Sequence, residues 1–142
     1  MSRILVRLIA ALWCGALWCV GALVAPSLFA TIGPAEAGRA VAVIFPNLAT
    51  AGLVAAVLLL VLDRIGGATA LGQAGRRAVL LMAVGVGVGY FGLKPLMNHG
   101  RELARAGQAV PFWADFGTLH GVSSVIYLLV ALLALRLVAV VR

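Results

Sequence analysis

Hydrophobic residues are gathered into four long segments that contain no charged residue, and every charge lies between these segments or near the chain ends. A helix needs about 20 apolar residues to cross the hydrocarbon core of a bilayer, a length that three of the segments reach and the third along the chain does not. The pattern predicts an all-α fold, an integral membrane four-helix bundle in which residues 1–142 form a single transmembrane domain. The uncharged segments are Leu8–Ala35, Ala40–Leu62, Ala78–Leu93 and Phe116–Leu135. The predicted spans are residues 8–30, 40–62, 78–95 and 115–137.

Composition supports a membrane protein. Hydrophobic residues make up 64% of the chain and charged residues only 11%, with a mean hydropathy of +1.15. A soluble domain carries about a quarter charged residues, so lipid is the expected medium around the helices. The net charge of +7 would suggest nucleic acid in a soluble protein. Here the arginines sit at span ends, so we expect the partners to be the bilayer and its anionic lipid headgroups, and no nucleic acid.

The first segment follows two arginines, Arg3 and Arg7, as the core of a secretory signal peptide would. A signal core is usually about 7–15 residues long, and this apolar segment is far longer. We therefore expect a helix that is retained as a membrane anchor rather than cleaved.

The distribution of basic residues predicts the orientation of the bundle. Four spans place both termini on the same side, and that side holds seven basic residues against four on the other. Lysine and arginine accumulate in short cytoplasmic loops, so we expect a multi-pass inner-membrane protein with both termini in the cytoplasm. The seven are Arg3, Arg7, Arg64, Arg76, Arg77, Arg136 and Arg142, and the four are Arg39, Lys94, Arg101 and Arg105.

The third connection, from Lys94 to Asp115, is the longest and the most polar. Proline disrupts a helix interior, so the third helix either extends beyond the membrane or breaks at Pro95 into a short interfacial helix between spans 3 and 4. Phe112 and Trp113 mark the level at which the chain re-enters the membrane, because aromatic rings favour the headgroup region.

Glycines at one stripe of the third span predict how the helices pack. Gly85, Gly89 and Gly92 recur at intervals of four and three residues. Small residues let two helix backbones approach closely in a bilayer, where water exclusion cannot drive association. The stripe predicts contacts within the bundle or, alternatively, self-association, so a homo-oligomer or a larger membrane complex is a candidate assembly.

The fourth span holds the candidate polar site. His120, Ser124 and Tyr127 follow one another at i, i+4 and i+7, on a single helix face. A polar stripe facing lipid is costly, so we expect it to face the bundle interior or a water-filled cavity. Asp115 precedes the helix and either caps it or meets a basic residue, and His99 is predicted on the same side of the membrane.

Three interpretations of the histidines stay open: a haem or copper site with two histidine ligands, a hydrogen-bonded structural role, or a functional polar cavity. Two ligands are too few for a closed metal site, and the sequence adds no CxxCH motif or third histidine. We expect no cofactor, with haem or copper as the alternative, and leave the metal ligands unassigned. The sequence contains no GxSxG, HExxH or glycine-rich phosphate motif, so no catalytic residue is assigned and an enzyme is not favoured.

Several short motifs are shared with a known family. They include Ala25-Pro26-Ser27-Leu28-Phe29 at the end of the first span, Lys94-Pro95-Leu96-Met97, and Phe116-Gly117-Thr118-Leu119-His120. In these the chain resembles the domain of unknown function 4149 family, small bacterial membrane proteins related to eukaryotic transmembrane protein 205. The resemblance implies a four-helix membrane fold and places His120 in an FxxLH motif. Through a similarity of that family to the copper-resistance protein D group, it also implies the haem or copper alternative, but it implies no activity.

The sequence thus predicts a structural or accessory membrane component that packs against partner subunits. The alternative is a membrane protein that handles a small solute, a metal or haem at a polar site around His120.

Overall fold

The computed structural model describes residues 2–65 and 71–141, which are helical for most of their length and contain no strand. The chain order is α1 (Ser2–Trp18), a π-helical turn π1 (Cys19–Val24), α2 (Ala25–Thr31), α3 (Pro34–Ile65), α4 (Gly72–Gly87), a second π-helical turn π2 (Val88–Leu93), α5 (Lys94–Arg105), a 3-10 turn (Phe112–Ala114) and α6 (Phe116–Val140).

Four continuous helices are long and apolar enough to cross a membrane: Arg3–Thr31, Pro34–Ile65, Gly72–Arg105 and Phe116–Val140. This confirms the predicted all-α, four-helix architecture and makes the protein a multi-pass membrane protein. Helices are expected there because lipid offers no hydrogen bonds, so each span must satisfy its backbone groups internally.

In both the first and the third span, a π-helical turn directly precedes the short helix that contains a proline. Pro26 follows π1 by two residues and Pro95 follows π2 by two residues, each in the first turn of a short α-helix. A proline lacks the N–H that an α-helix uses and its ring crowds the preceding turn, and the wider π turn relieves that crowding locally. The third helix therefore extends through Pro95 into α5 with no non-helical residue between them.

The two halves of the chain share this build. Each consists of a helix, a π turn, a proline-led short helix, a connection and one long helix. The sequence shows no clear repeat between the halves, because the shared features are a hydrogen-bonding pattern and a proline position rather than a run of similar side chains.

Glycines at the contacts between helices act as notches that let the helices approach closely. Such contacts are expected in lipid, where the exclusion of water does not drive helices together. A Cβ added at Gly85 would lie 2.7 Å from Val130 on α6, and one at Gly52 would lie 2.8 Å from the Trp13 indole nitrogen. Neither position can take a side chain without movement of a buried neighbour.

The buried core lies in one half of the bundle, where the start of α1 meets the end of α6 and the end of α3 meets the start of α4. It is formed by residues from α1, the C-terminal part of α3, the first part of α4 and the last part of α6. Neither π turn contributes a buried residue. The largest fully buried side chains are Leu59, Leu71, Met82, Leu137, Val6 and Val79.

Candidate functional site

Asp115 is the N-cap of α6. Its carboxylate accepts hydrogen bonds from the backbone N–H of Thr118 at 2.9 Å and from the Thr118 hydroxyl at 3.2 Å. The backbone bond, supported by the hydroxyl bond, lowers the pKa of Asp115 from its usual value, because both stabilise the ionised form. Of the two roles predicted for Asp115, the structure shows the cap.

His120 lies at the surface of α6 rather than in the bundle interior. Its ring stacks on that of Phe116, with centroids 5.5 Å apart and an interplanar angle of 13°. Its backbone carbonyl accepts the hydroxyl of Ser123 at 2.9 Å and that of Ser124 at 2.8 Å. The exposed Ser124 hydroxyl is thus satisfied by its own helix and needs no partner across the bundle.

Tyr127 is the part of the stripe that does face the interior. Its hydroxyl donates to the carbonyl of Leu17 on α1 at 2.5 Å, and its ring meets Phe45 edge to face, with centroids 5.4 Å apart. A Cβ at Gly21 would lie 2.6 Å from the tyrosine ring. Tyr127 therefore joins α6 to α1 and α3.

The expectation that the three side chains face the interior together does not hold. The spacing does place them on one helix face, but π1 and α3 cover that face only at the level of Tyr127. His120 lies nearly two turns closer to the start of α6, where it stacks on its own helix. Their role as a functional site stays a prediction.

His99 is exposed on α5 and stacks on Trp113, with ring centroids 6.4 Å apart and an interplanar angle of 15°. The two histidines thus lie on neighbouring elements but contact different aromatic rings. Phe116 also contacts the guanidinium of Arg101, 4.5 Å from its centroid. Within residues 2–65 and 71–141, no three His, Cys, Asp or Glu side chains are grouped as metal ligands would be.

The close approach of α5 to the start of the fourth span depends on Gly100, which sequence reasoning missed. Gly100 is buried, and a Cβ there would collide with the backbone carbonyl of Ala114. This contact fixes the end of the long third helix against the 3-10 turn that carries Trp113. Gly100 stands in a polar segment, outside any small-residue stripe, so its sequence context gave no indication.

The three glycines of the stripe on the third span also differ in their surroundings. Gly85 packs against Val130 and Ile126 of α6. A Cβ at Gly89 would meet nothing within 4 Å, and one at Gly92 only Val88 of the same helix. Gly85 therefore serves the bundle, whereas Gly89 and Gly92 leave bare backbone at its surface.

Asp63 is a second residue that sequence reasoning missed, and it is the buried charged residue of the described chain. One carboxylate oxygen accepts the backbone N–H of Leu71 at 3.1 Å, and the other pairs with Nε of Arg76 at 2.5 Å. Asp63 thereby joins the end of α3 to the start of α4. The available indication was an acidic residue directly at the end of an uncharged segment, with two arginines following the next connection.

Comparison with known proteins places the chain in a family. The model of the domain of unknown function DUF4149 matches residues 8–107, which runs from within α1 to just beyond α5 and ends before α6. The motif Phe116–His120 therefore lies outside the matched segment. No curated protein and no solved structure matches the chain. Because the matched segment spans more than two thirds of the sequence, the protein belongs to the DUF4149 family.

Proposed function

We propose that this protein is a structural or accessory component of a bacterial inner membrane that packs against a second membrane-embedded subunit, either another copy of itself or a different protein. The contact face is the open part of the third helix, around Gly89 and Gly92. Both termini lie in the cytoplasm.

The observation that carries this proposal is the division of the glycine stripe. Val130 of α6 fills the notch at Gly85. On the same stripe, within residues 2–65 and 71–141, a Cβ at Gly89 would meet nothing within 4 Å and one at Gly92 would meet only Val88 of its own helix. In lipid, close backbone approach supplies much of the association energy that water exclusion supplies elsewhere. Phe91, next to Gly92 in the sequence, is also exposed.

The orientation rests on charge. Six of the ten basic residues within residues 2–65 and 71–141 lie at the end of the bundle where the start of α1, the end of α3, the start of α4 and the end of α6 meet. Asp63 offsets only one of them, Arg76. Such an excess favours the cytoplasmic side. Reporter fusions at both ends should report the same compartment.

A matched pair of variants tests the role. We expect Gly89→Leu to reduce self-association or co-purification of a partner in mild detergent, because the leucine holds the facing backbone away. His120→Ala should leave assembly unchanged, since His120 is exposed and its ring stacks on Phe116 of its own helix. If instead His120→Ala reduced assembly and Gly89→Leu left it unchanged, the result would favour a polar site around His120.

The same preparation tests the cofactor alternative. We expect purified protein to show no Soret band and no stoichiometric copper. A haem spectrum that is lost in both His99→Ala and His120→Ala would contradict the accessory role and assign the two histidines as ligands.

A further inference from the structure

A lateral groove lies between the start of α1 and the end of α6. Its volume is about 360 Å³, and it is open along one side. It lies where the first turns of α1 meet the last turns of α6. The groove is lined by Arg7, Ala10, Ala11, Val138 and Val141.

The lining has two chemically different parts. Arg7 is the charged residue of the lining and lies near the start of the first helix that could span a membrane. The remaining lining side chains are alanine and valine, which offer only apolar contacts. None of the four acidic side chains of the chain lines the groove. A ligand that fits must therefore be anionic at one end and apolar along its length.

The surroundings reinforce the positive charge. Arg3 lies one helical turn before Arg7 on the same face of α1, and this end of the bundle carries most of the arginines. The nearest acidic residue in the α3–α4 hairpin, Asp63, is engaged by Arg76 and by the backbone of Leu71. Basic pockets between membrane helices bind anionic lipid headgroups, and a planar guanidinium matches phosphate oxygens well.

We propose that this groove binds one anionic glycerophospholipid, with its phosphate on Arg7 and one acyl chain between α1 and α6. Such a lipid fills the space that the small side chains Ala10 and Ala11 leave beside Val138. The site requires only that the protein spans a bilayer. It is independent of the accessory role and of the compartment in which the termini lie.

The test uses the full-length protein in mild non-ionic detergent, titrated with phosphatidylglycerol or with phosphatidylcholine of the same acyl chains. Binding is counted by native mass spectrometry. We expect one phosphatidylglycerol to bind in preference to phosphatidylcholine. Arg7→Gln should weaken that binding about fivefold, the effect of one basic residue near the surface.

Two further variants locate the site. Arg77→Gln removes an arginine at the same end of the bundle that does not line the groove, and should leave binding unchanged. Ala11→Leu keeps the charge but fills the groove, and should weaken binding as Arg7→Gln does. Ala11 is exposed, so the helical circular dichroism and melting temperature without lipid should match those of the unmodified protein.

Three results would overturn the proposal. An equal loss in Arg7→Gln and Arg77→Gln would indicate general charge attraction rather than a site. Unchanged binding in Ala11→Leu would show that the groove is not occupied. Competition by millimolar inorganic phosphate as effective as that by phosphatidylglycerol would indicate a free-ion site without an acyl chain.

Discussion

The two ends of this bundle differ in how they are held together. At the end with the chain termini, buried side chains from all four spans interlock, and Asp63 and Arg76 form an ion pair at the α3–α4 connection. At the other end, the π turns have no buried residue, and the buried positions in its helices and turns are mainly small ones: Ala37, Gly100, Ala114 and Leu119.

The difference shows what replaces the hydrophobic effect inside a bilayer. The closely packed end uses notches at Gly52 and Gly85 into which Trp13 and Val130 fit. At the open end, in the described part of the chain, no side chain from another helix lies within 4 Å of a Cβ placed at Gly89 or Gly92. Few buried contacts mean low local stability, so the open end should be the more mobile one and the one available to a partner.

The largest expected effect is at the packed end, on removal of Arg76. The Asp63 side chain is only 2% exposed, whereas that of Arg76 is 48% exposed. Arg76→Ala leaves a buried carboxylate without its cation, and we expect a loss of about 3 kcal/mol in the free energy of unfolding. Denaturation in mixed micelles measures it. Arg77→Ala, on the next residue of the same helix, is the control and should cost far less. Equal losses would show that the ion pair does not stabilise the hairpin.

The second effect compares two glycines of one stripe. Gly85→Leu forces a side chain against Val130 and should destabilise the fold by about 1–3 kcal/mol. Gly89→Leu should leave the melting temperature of the monomer unchanged, because nothing lies within 4 Å of the new Cβ. If Gly89→Leu were as damaging as Gly85→Leu in the monomer, the open end would be more closely packed than the structure shows.

A smaller effect separates two tryptophans of α1. Trp18 donates its indole N–H to the carbonyl of Ala131 at 3.1 Å, whereas the buried Trp13 indole nitrogen has no hydrogen-bond partner among residues 2–65 and 71–141. Trp18→Phe should cost up to about 1 kcal/mol, since it removes that bond. Trp13→Phe should cost less than Trp18→Phe, because it breaks no hydrogen bond and removes a buried donor that is unsatisfied. Melting curves of the two variants compare them, and a larger loss for Trp13→Phe would contradict this assignment.

The smallest effect concerns the cap of α6 at the open end. The Thr118 N–H lowers the pKa of Asp115 below its usual 3.8, so the folded chain keeps this carboxylate ionised to lower pH than the unfolded chain does. Its contribution is complete above the unfolded value and is lost as the pH falls through the lower, folded value. Asp115→Asn should therefore lower the melting temperature slightly at pH 7, and this difference should shrink as the pH falls below the unfolded value. A difference that stays constant as the pH falls would have another cause.

Much of the fold follows from the sequence because a bilayer permits so few structures. Uncharged segments of the right length have to be helices, and four of them fill this chain. The behaviour at Pro95 could not be decided in advance. A helix can end at a proline, or it can continue past the proline with the help of a π turn. Which of these occurs depends on local hydrogen bonding, and the residue types near Pro26 and Pro95 do not reveal it.

The candidate site was predictable only in part. Spacing places His120, Ser124 and Tyr127 on one face, but it does not show at which level a neighbouring helix covers that face. Asp63 and Arg76 lie on α3 and α4, on either side of the connection between these helices. Helical periodicity relates only residues of one helix, so it cannot predict this ion pair. The spacing of the glycine stripe treats Gly85 and Gly89 alike, and it does not show that α6 approaches Gly85 and not Gly89.

The contrast between a packed and an open end is tested most directly by distances between spin labels on α4–π2 and α6, with Cys14 and Cys19 replaced by alanine. One pair, at Leu80 and Leu132, lies on exposed positions of the packed end, and the other, at Phe91 and Val122, on exposed positions of the open end. In lipid nanodiscs, double electron–electron resonance should give a narrow distance distribution for the first pair and a clearly broader one for the second. Equally narrow distributions, or a broader one at Leu80 and Leu132, would contradict the account.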